Sequence, residues 1–134
     1  MQNRSTGTRN TVQKQVVQTV FQQAKRPLMA REAYELARRR RPRIGIATVY
    51  RAIRRMVSDK VLRPVVIPGE TAYYEMADTG HHHYFHCCVC EKVYVAPGCP
   101  GSMQALTPSG FHLERHDLVL HGRCKRCNKT QDTG

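Results

Sequence analysis

Apolar side chains recur at helical spacing three times in the first half of the chain. Val17, Val20, Phe21 and Ala24 follow an i, i+3, i+4, i+7 pattern with mostly polar residues between them. The pattern predicts a helix over 11–25, closed by Pro27. Met29, Ala33, Leu36 and Ala37 share a face of a second helix over 29–40, which ends in the run Arg38 to Arg41 before Pro42. A third helix over 46–58 carries Ile46, Val49, Ile53 and Met56 as its core stripe. The period then shortens. Val65, Val66 and Ile67 are strand formers, as are Tyr73 and Tyr74, and Pro68-Gly69 lies between them. Residues 61–75 therefore predict a hairpin. After the polar break at Met76–Gly80, strands are predicted over 90–95 and 111–121, with a short helix over 101–106 between them.

Charge changes the picture. The formal net charge is +12, and residues 1–63 hold 16 Lys/Arg against 3 Asp/Glu, whereas residues 64–134 hold 6 against 7. An excess confined to one half is the footprint of a polyanion-binding module joined to something else. Thr48, Arg51, Arg54 and Arg55 fall largely opposite the apolar stripe of the third helix, with Tyr50 at its flank. An arginine-rich helix face is ordinarily just solvated. Here it stands third in a basic three-helix unit followed by a hairpin wing, which describes a winged helix-turn-helix with its last helix directed at the major groove of double-stranded DNA. The Arg38–Arg41 run suits a helix C-terminus, and four cations in a row equally suit phosphate contact.

At 134 residues and 40% hydrophobic content, two small cores would each be marginal and would want a staple. No apolar run reaches the roughly 18 residues expected of a membrane span. The opening MQNRSTGTRN has no secretory character. The expectation is a cytoplasmic protein, away from membranes, whose six cysteines are reduced.

All seven histidines and six cysteines lie between 81 and 127. Cys87-x-x-Cys90 and Cys124-x-x-Cys127 each bring two thiolates to one turn, and four thiolates make the closed shell of a structural Zn²⁺. Cys88 is out of phase and reads as a bystander thiol. In a strand, His81 and His83 share a face while His82 points elsewhere. His116 precedes the second cysteine pair, and Cys99 sits in the loop PGCPG. His81, His83, Cys99 and His116 would complete a second, regulatory shell suited to Zn²⁺ ahead of Mn²⁺ or Fe²⁺. Singly, each of these residues would ordinarily be inert.

The chain resembles the ferric uptake regulator family of bacterial metal-dependent repressors, with the zinc-sensing branch as a candidate placement, from about residue 9 to 128. The resemblance rests on Ile44-Gly45-Ile46-Ala47-Thr48-Val49-Tyr50-Arg51, on His81-His82-His83 leading into Cys87-x-x-Cys90, and on Gly122-Arg123-Cys124-x-x-Cys127. It implies an α+β fold, with a winged-helix domain over 1–76, a hinge over 77–80 and a zinc-stapled α/β dimerisation domain over 81–134. It further implies a homodimer on a palindromic operator. Tyr50 and Arg51 become base-contacting candidates, and Arg9 a minor-groove candidate. The dimerisation-domain site carries over at His81, His83 and His116. Its usual carboxylate has no clear match, since Ser102 stands about there and Cys99 is three residues earlier. The hinge sensor site matches at Glu75 and His82. Tyr84 and Pro27 stand where histidine ligands are expected, so that site is depleted or is completed by His86 or another group.

The reading is a metal-responsive transcriptional regulator of metal homeostasis genes and not an enzyme. Two rivals are a peroxide or redox sensor of the same fold using Cys88 or Cys99 (or oxidation of metal-bound histidine), and an unregulated zinc-ribbon module. A zinc hydrolase would need a general base such as Glu91 or Glu114, and the chain has no His-Glu-x-x-His motif.

Overall fold

The computed structural model describes the backbone of residues 2–98, 101 and 103–132, with side chains throughout that range except at 2–10 and 130–132. The chain forms two units, one ending at Gly80 and the other beginning at His81.

The first unit contains α1 (Gln2–Ala24), β1 (Leu28–Met29), α2 (Ala30–Arg40), α3 (Ile46–Ser58), β2 (Leu62–Val65) and β3 (Tyr73–Met76). Val17, Val20 and Phe21 of α1, Ala33 and Ala37 of α2, and Val49, Ile53 and Met56 of α3 meet in one core with Leu28, Ile44 and Leu62. Burying each large aliphatic or aromatic side chain there contributes roughly 1.5–3 kcal/mol. Three details depart from the sequence expectation. α1 begins at Gln2 rather than near residue 11. The predicted start of the second helix is instead the two-residue strand β1, which pairs with β3 through Leu28↔Tyr74 and Met29↔Tyr73. Ile46 is 37% exposed, and Ile44 takes the core position, 4% exposed. Ile46 opens the first turn of α3, before the helix reaches its neighbours, whereas Ile44 lies on the segment that leads into it.

Glu32 fixes the start of α2. Its Oε1 accepts the Met29 N–H at 3.3 Å, and its Oε2 lies 2.6 Å from Arg26 Nη2. The wing sheet has the antiparallel order β1-β3-β2. Its strands are shorter than predicted, since Val66 and Ile67 lie in the loop after β2. The turn itself is as read. Glu70 N–H donates to Ile67 O at 3.0 Å across Pro68-Gly69, and Gly69 has φ +82°, a conformation that favours glycine after proline.

The second unit contains β4 (His83–Cys87), β5 (Val93–Ala96), a 3-10 turn at Gln104–Leu106, β6 (Val119–Gly122) and α4 (Lys125–Asp132). β4 lies at the centre of the sheet, antiparallel to β5 and parallel to β6. The predicted strand over 111–121 is confined to its last few residues. The predicted helix over 101–106 is a single 3-10 turn at its end. Among the described residues, the buried set here is only His83, His86, Cys87, Val93 and Cys124. Two thiols and two imidazoles cannot drive a fold by apolar burial. This unit needs cross-links that the first unit does not.

Candidate metal centres and nucleic-acid interface

The four cysteines of the two Cys-x-x-Cys pairs converge. One ligand atom from each of Cys87, Cys90, Cys124 and Cys127 lies within 4.8 Å of all the others. Cys87 ends β4 at the centre of the sheet. β6 runs beside it, with Gly122 opposite Cys87, and delivers Cys124 to the start of α4. A Cβ on Gly122 would meet the Phe85 ring at 3.0 Å, so the close fit of β6 at this point requires the missing side chain. Cys90 Sγ and Cys124 Sγ are 3.8 Å apart. Metal–sulfur bonds of about 2.3 Å in a tetrahedron give sulfur–sulfur edges of about 3.8 Å, so the donor set fits Zn²⁺.

The thiols are arranged to lose protons unequally. Burial works to raise the Cys87 thiol, but the backbone N–H groups of Cys90, Cys124 and Val89 outweigh it and hold the value at about 6. The N–H of Cys127 lowers Cys124 likewise. Cys90 is raised, foremost by burial. Cys127 is pushed up to about 12, first by its hydrogen bond with Cys124 and then by burial. Cys87 and Cys124 are thus the easier pair to deprotonate, and Cys90 and Cys127 hold their protons more tightly.

His81, His83 and His116 form a second cluster, again within 4.8 Å. His83 and His116 are stacked, with their Nε2 atoms 3.2 Å apart. That is close to the nitrogen–nitrogen edge of about 3.3 Å in a tetrahedron with Zn–N bonds of about 2.0 Å. Burial, then His81 and His116, lower the pKa of His83, which favours the neutral ring. Leu118 N–H donates to His83 Nδ1 at 3.2 Å. In the neutral ring the proton then sits on Nε2, facing His116. Coordination through Nε2 calls for that proton to move to Nδ1 and for the Leu118 contact to open. Cys99, the proposed fourth ligand, and Ser102 lie outside the described residues.

The hinge candidates sit as follows. Glu75, in the first unit, is buried and accepts from Arg63 Nε at 2.8 Å. His82, in the second, has its ring edge-on to Tyr84. His86 is buried on β4 opposite His121 of β6, with their Nδ1 atoms 3.3 Å apart. Sequence reading missed the latter pairing. Only the parallel register places these rings together, though the shared parity of His86 and Cys88 along a strand was visible.

In the first unit, α3 turns Val49, Ile53 and Met56 inward and leaves Tyr50, Arg51, Arg54 and Arg55 in solvent. Arg51 donates to Thr48 Oγ1 at 3.3 Å, one turn back. Arg55 donates to Asp59 Oδ2 at 3.2 Å. Arg54 forms no ion pair among the described residues. The side chain of Arg9 lies outside them. The exposed face is therefore cationic, with a phenol and a hydroxyl among the charges, a composition that can meet both phosphates and base edges.

The model of the ferric uptake regulator family matches residues 5–121. The chain belongs to that family. Its members are metal-responsive transcription regulators rather than enzymes. The ferric uptake regulation protein of Bacillus subtilis (strain 168) is 27% identical over 107 residues, which cover 75% of this chain and 72% of the relative. Two solved structures support the fold. A zinc-bound manganese uptake regulator matches with a TM-score of 0.73 at 20% identity, covering 84% of this chain and 87% of its own. FurB from M. tuberculosis, a zinc uptake regulator, matches with a TM-score of 0.53 at 24% identity, covering 92% and 98%. Among the described residues, no helix is long and apolar enough to cross a membrane.

Proposed function

We propose that this member of the ferric uptake regulator family is a zinc-responsive repressor of metal homeostasis genes. It works in the cytoplasm as a homodimer on a palindromic operator. The observation that carries the reading is the three-histidine cluster of His81, His83 and His116, a second donor set separate from the four cysteines. A structural zinc alone explains a stable fold and leaves these histidines without a role. Imidazole donors, with Cys99 as the proposed fourth ligand, favour zinc over Mn²⁺ or Fe²⁺, which prefer more carboxylate. Glu75 and His82, with His86 as a further candidate, are the weaker set for sensing at the hinge.

The residues divide the work. Cys87, Cys90, Cys124 and Cys127 hold the structural ion. Arg54 and Arg55 meet phosphate, Thr48, Tyr50 and Arg51 meet base edges, and Arg9 reaches the minor groove. Metal that binds the DNA-competent state better than its alternatives shifts the population toward it, and DNA raises metal affinity by the same factor. A coupling of about 1–3 kcal/mol corresponds to roughly 5–150-fold tighter DNA binding.

The test is binding to a palindromic operator at fixed salt against buffered free Zn²⁺, Mn²⁺ and Fe²⁺, with metal counted per chain. Affinity that rises with Zn²⁺, and that loses the rise in His116→Ala, supports the reading. Affinity indifferent to every metal overturns it in favour of an unregulated nucleic-acid-binding module.

A further inference from the structure

We propose that His86, Cys88 and His121 form a third metal site, distinct from both the four-cysteine and the three-histidine clusters. One ligand atom from each lies within 4.8 Å of the other two. The pairing of β4 with β6 builds the site. In the parallel register His86 is the partner of His121, so the two imidazoles leave adjacent strands on the same face. Cys88 is two residues beyond His86 and shares that face. Its N–H donates to Gly122 O at 2.7 Å, which extends the ladder one residue past β4 and fixes the thiol beside His121.

The donor geometry suits a cation. His86 Nδ1 and His121 Nδ1 are 3.3 Å apart. A tetrahedral ion with bonds of about 2.0–2.1 Å to nitrogen spans such a pair. One thiolate with two imidazoles is the chemistry of Zn²⁺ and its spectroscopic substitute Co²⁺, and excludes the oxygen-seeking Mg²⁺ and Ca²⁺. His86 is buried, whereas Cys88 and His121 are exposed. The site thus has one anchored ligand and two facing solvent, with a fourth coordination position open to water or an exchanging ligand. The neighbouring cluster cannot use these atoms. Cys87 and Cys88 project to opposite faces of the sheet, and the four-cysteine shell is complete without Cys88.

The site makes no use of DNA, so its test is independent of the proposed function. Full-length protein with its four-cysteine zinc in place is treated with iodoacetamide, with and without added Zn²⁺, and modification of Cys88 is followed by peptide mass. Zn²⁺ should slow Cys88 alkylation roughly tenfold or more, because a metal-bound thiolate is a poor nucleophile. The protection should vanish in His121→Ala, an exposed position whose truncation leaves the core intact. A second measurement uses Co²⁺. Wild type and Cys99→Ser should gain thiolate-to-Co²⁺ charge-transfer absorption beyond the zinc-filled site. In the Cys99→Ser background, Cys88→Ser should abolish it and leave one fewer ion per chain than Cys99→Ser alone. Alkylation unchanged by Zn²⁺, protection that survives His121→Ala, or charge transfer that survives the double variant Cys88→Ser/Cys99→Ser would each overturn the proposal.

Discussion

Arg63 and Glu75 face each other across the β2–β3 pair as direct partners. Arg63 Nε donates to Glu75 Oε1 at 2.8 Å, and Nη2 lies 2.7 Å from the same oxygen. The carboxylate is almost wholly buried while the guanidinium is partly exposed. Arg63 Nη2 also donates to Thr79 Oγ1 and to Gly80 O, tying down the segment that ends the first unit. Removing the arginine leaves a charge in the interior. Arg63→Ala should therefore destabilise the first unit by about 1–3 kcal/mol, between the values for exposed and fully buried pairs. Denaturant unfolding measures it. The double variant Arg63→Ala/Glu75→Gln should recover part of the loss, since the buried group is then neutral. No recovery would mean that the arginine acts through Thr79 and Gly80 instead.

The thin core of the second unit leads to a prediction about metal removal. With so few buried apolar groups among the described residues, the binding energy of an ion held by the four cysteines would supply much of the folding energy of the second unit. Strong chelation, or Cys124→Ser, should unfold this unit and leave the first one folded on its own core. Limited proteolysis should then cut throughout 81–134 while a fragment near 1–80 persists. Intact protection of the second unit after complete metal loss would show that its packing suffices.

On α3, the exposed arginines differ in their partners, so their contributions to DNA binding should differ in kind. Arg54 has no ion pair to give up among the described residues and projects from the solvent face. Arg54→Ala should weaken binding about equally on all sequences and reduce the slope of log K against log salt by about 1. Arg51, braced by Thr48, is the candidate for a base edge. Arg51→Ala should cost about 1–3 kcal/mol on the operator and relax discrimination at one position. Fluorescence anisotropy across a salt series, on specific and scrambled duplexes, separates the two.

Much of this was legible in the sequence where chemistry repeats at a fixed period. The inward stripe of Val49, Ile53 and Met56 follows from helical spacing, and the convergence of four cysteines from two tight turns. The misreadings have a common physical source, because periodicity does not say where an element meets its neighbours. Ile46 continues the apolar stripe of α3 yet stands at its exposed first turn. The strand expected over 111–121 pairs with β4 only from Val119, where the register begins. That parallel register cannot be read from one strand alone, and it decides that His86 meets His121. The contrast in α3 can be tested directly. Ile53→Ala should cost about 2–5 kcal/mol by opening a cavity in the first unit, and Ile46→Ala much less, since much of that side chain already meets water. Equal losses in thermal unfolding would put Ile46 in the core after all.

The turn after Cys90 contains a conformation that its residue does not favour. Glu91 has φ +63°, in the left-handed region, and its N–H closes the knuckle by donating to Cys87 O at 2.9 Å. A residue with a Cβ pays roughly 1–2 kcal/mol there, whereas glycine adopts the conformation freely. Glycine also loses more backbone entropy on folding, which offsets part of the gain. Glu91→Gly should therefore stabilise the zinc-loaded second unit by about 0.5–1 kcal/mol. The loop would spend less time in conformations that pull Cys87 and Cys90 apart, so zinc should also dissociate more slowly. Transfer of the ion to a chromogenic chelator reads this rate. Faster transfer from Glu91→Gly would show that the glutamate side chain, rather than the turn geometry, holds the knuckle in place.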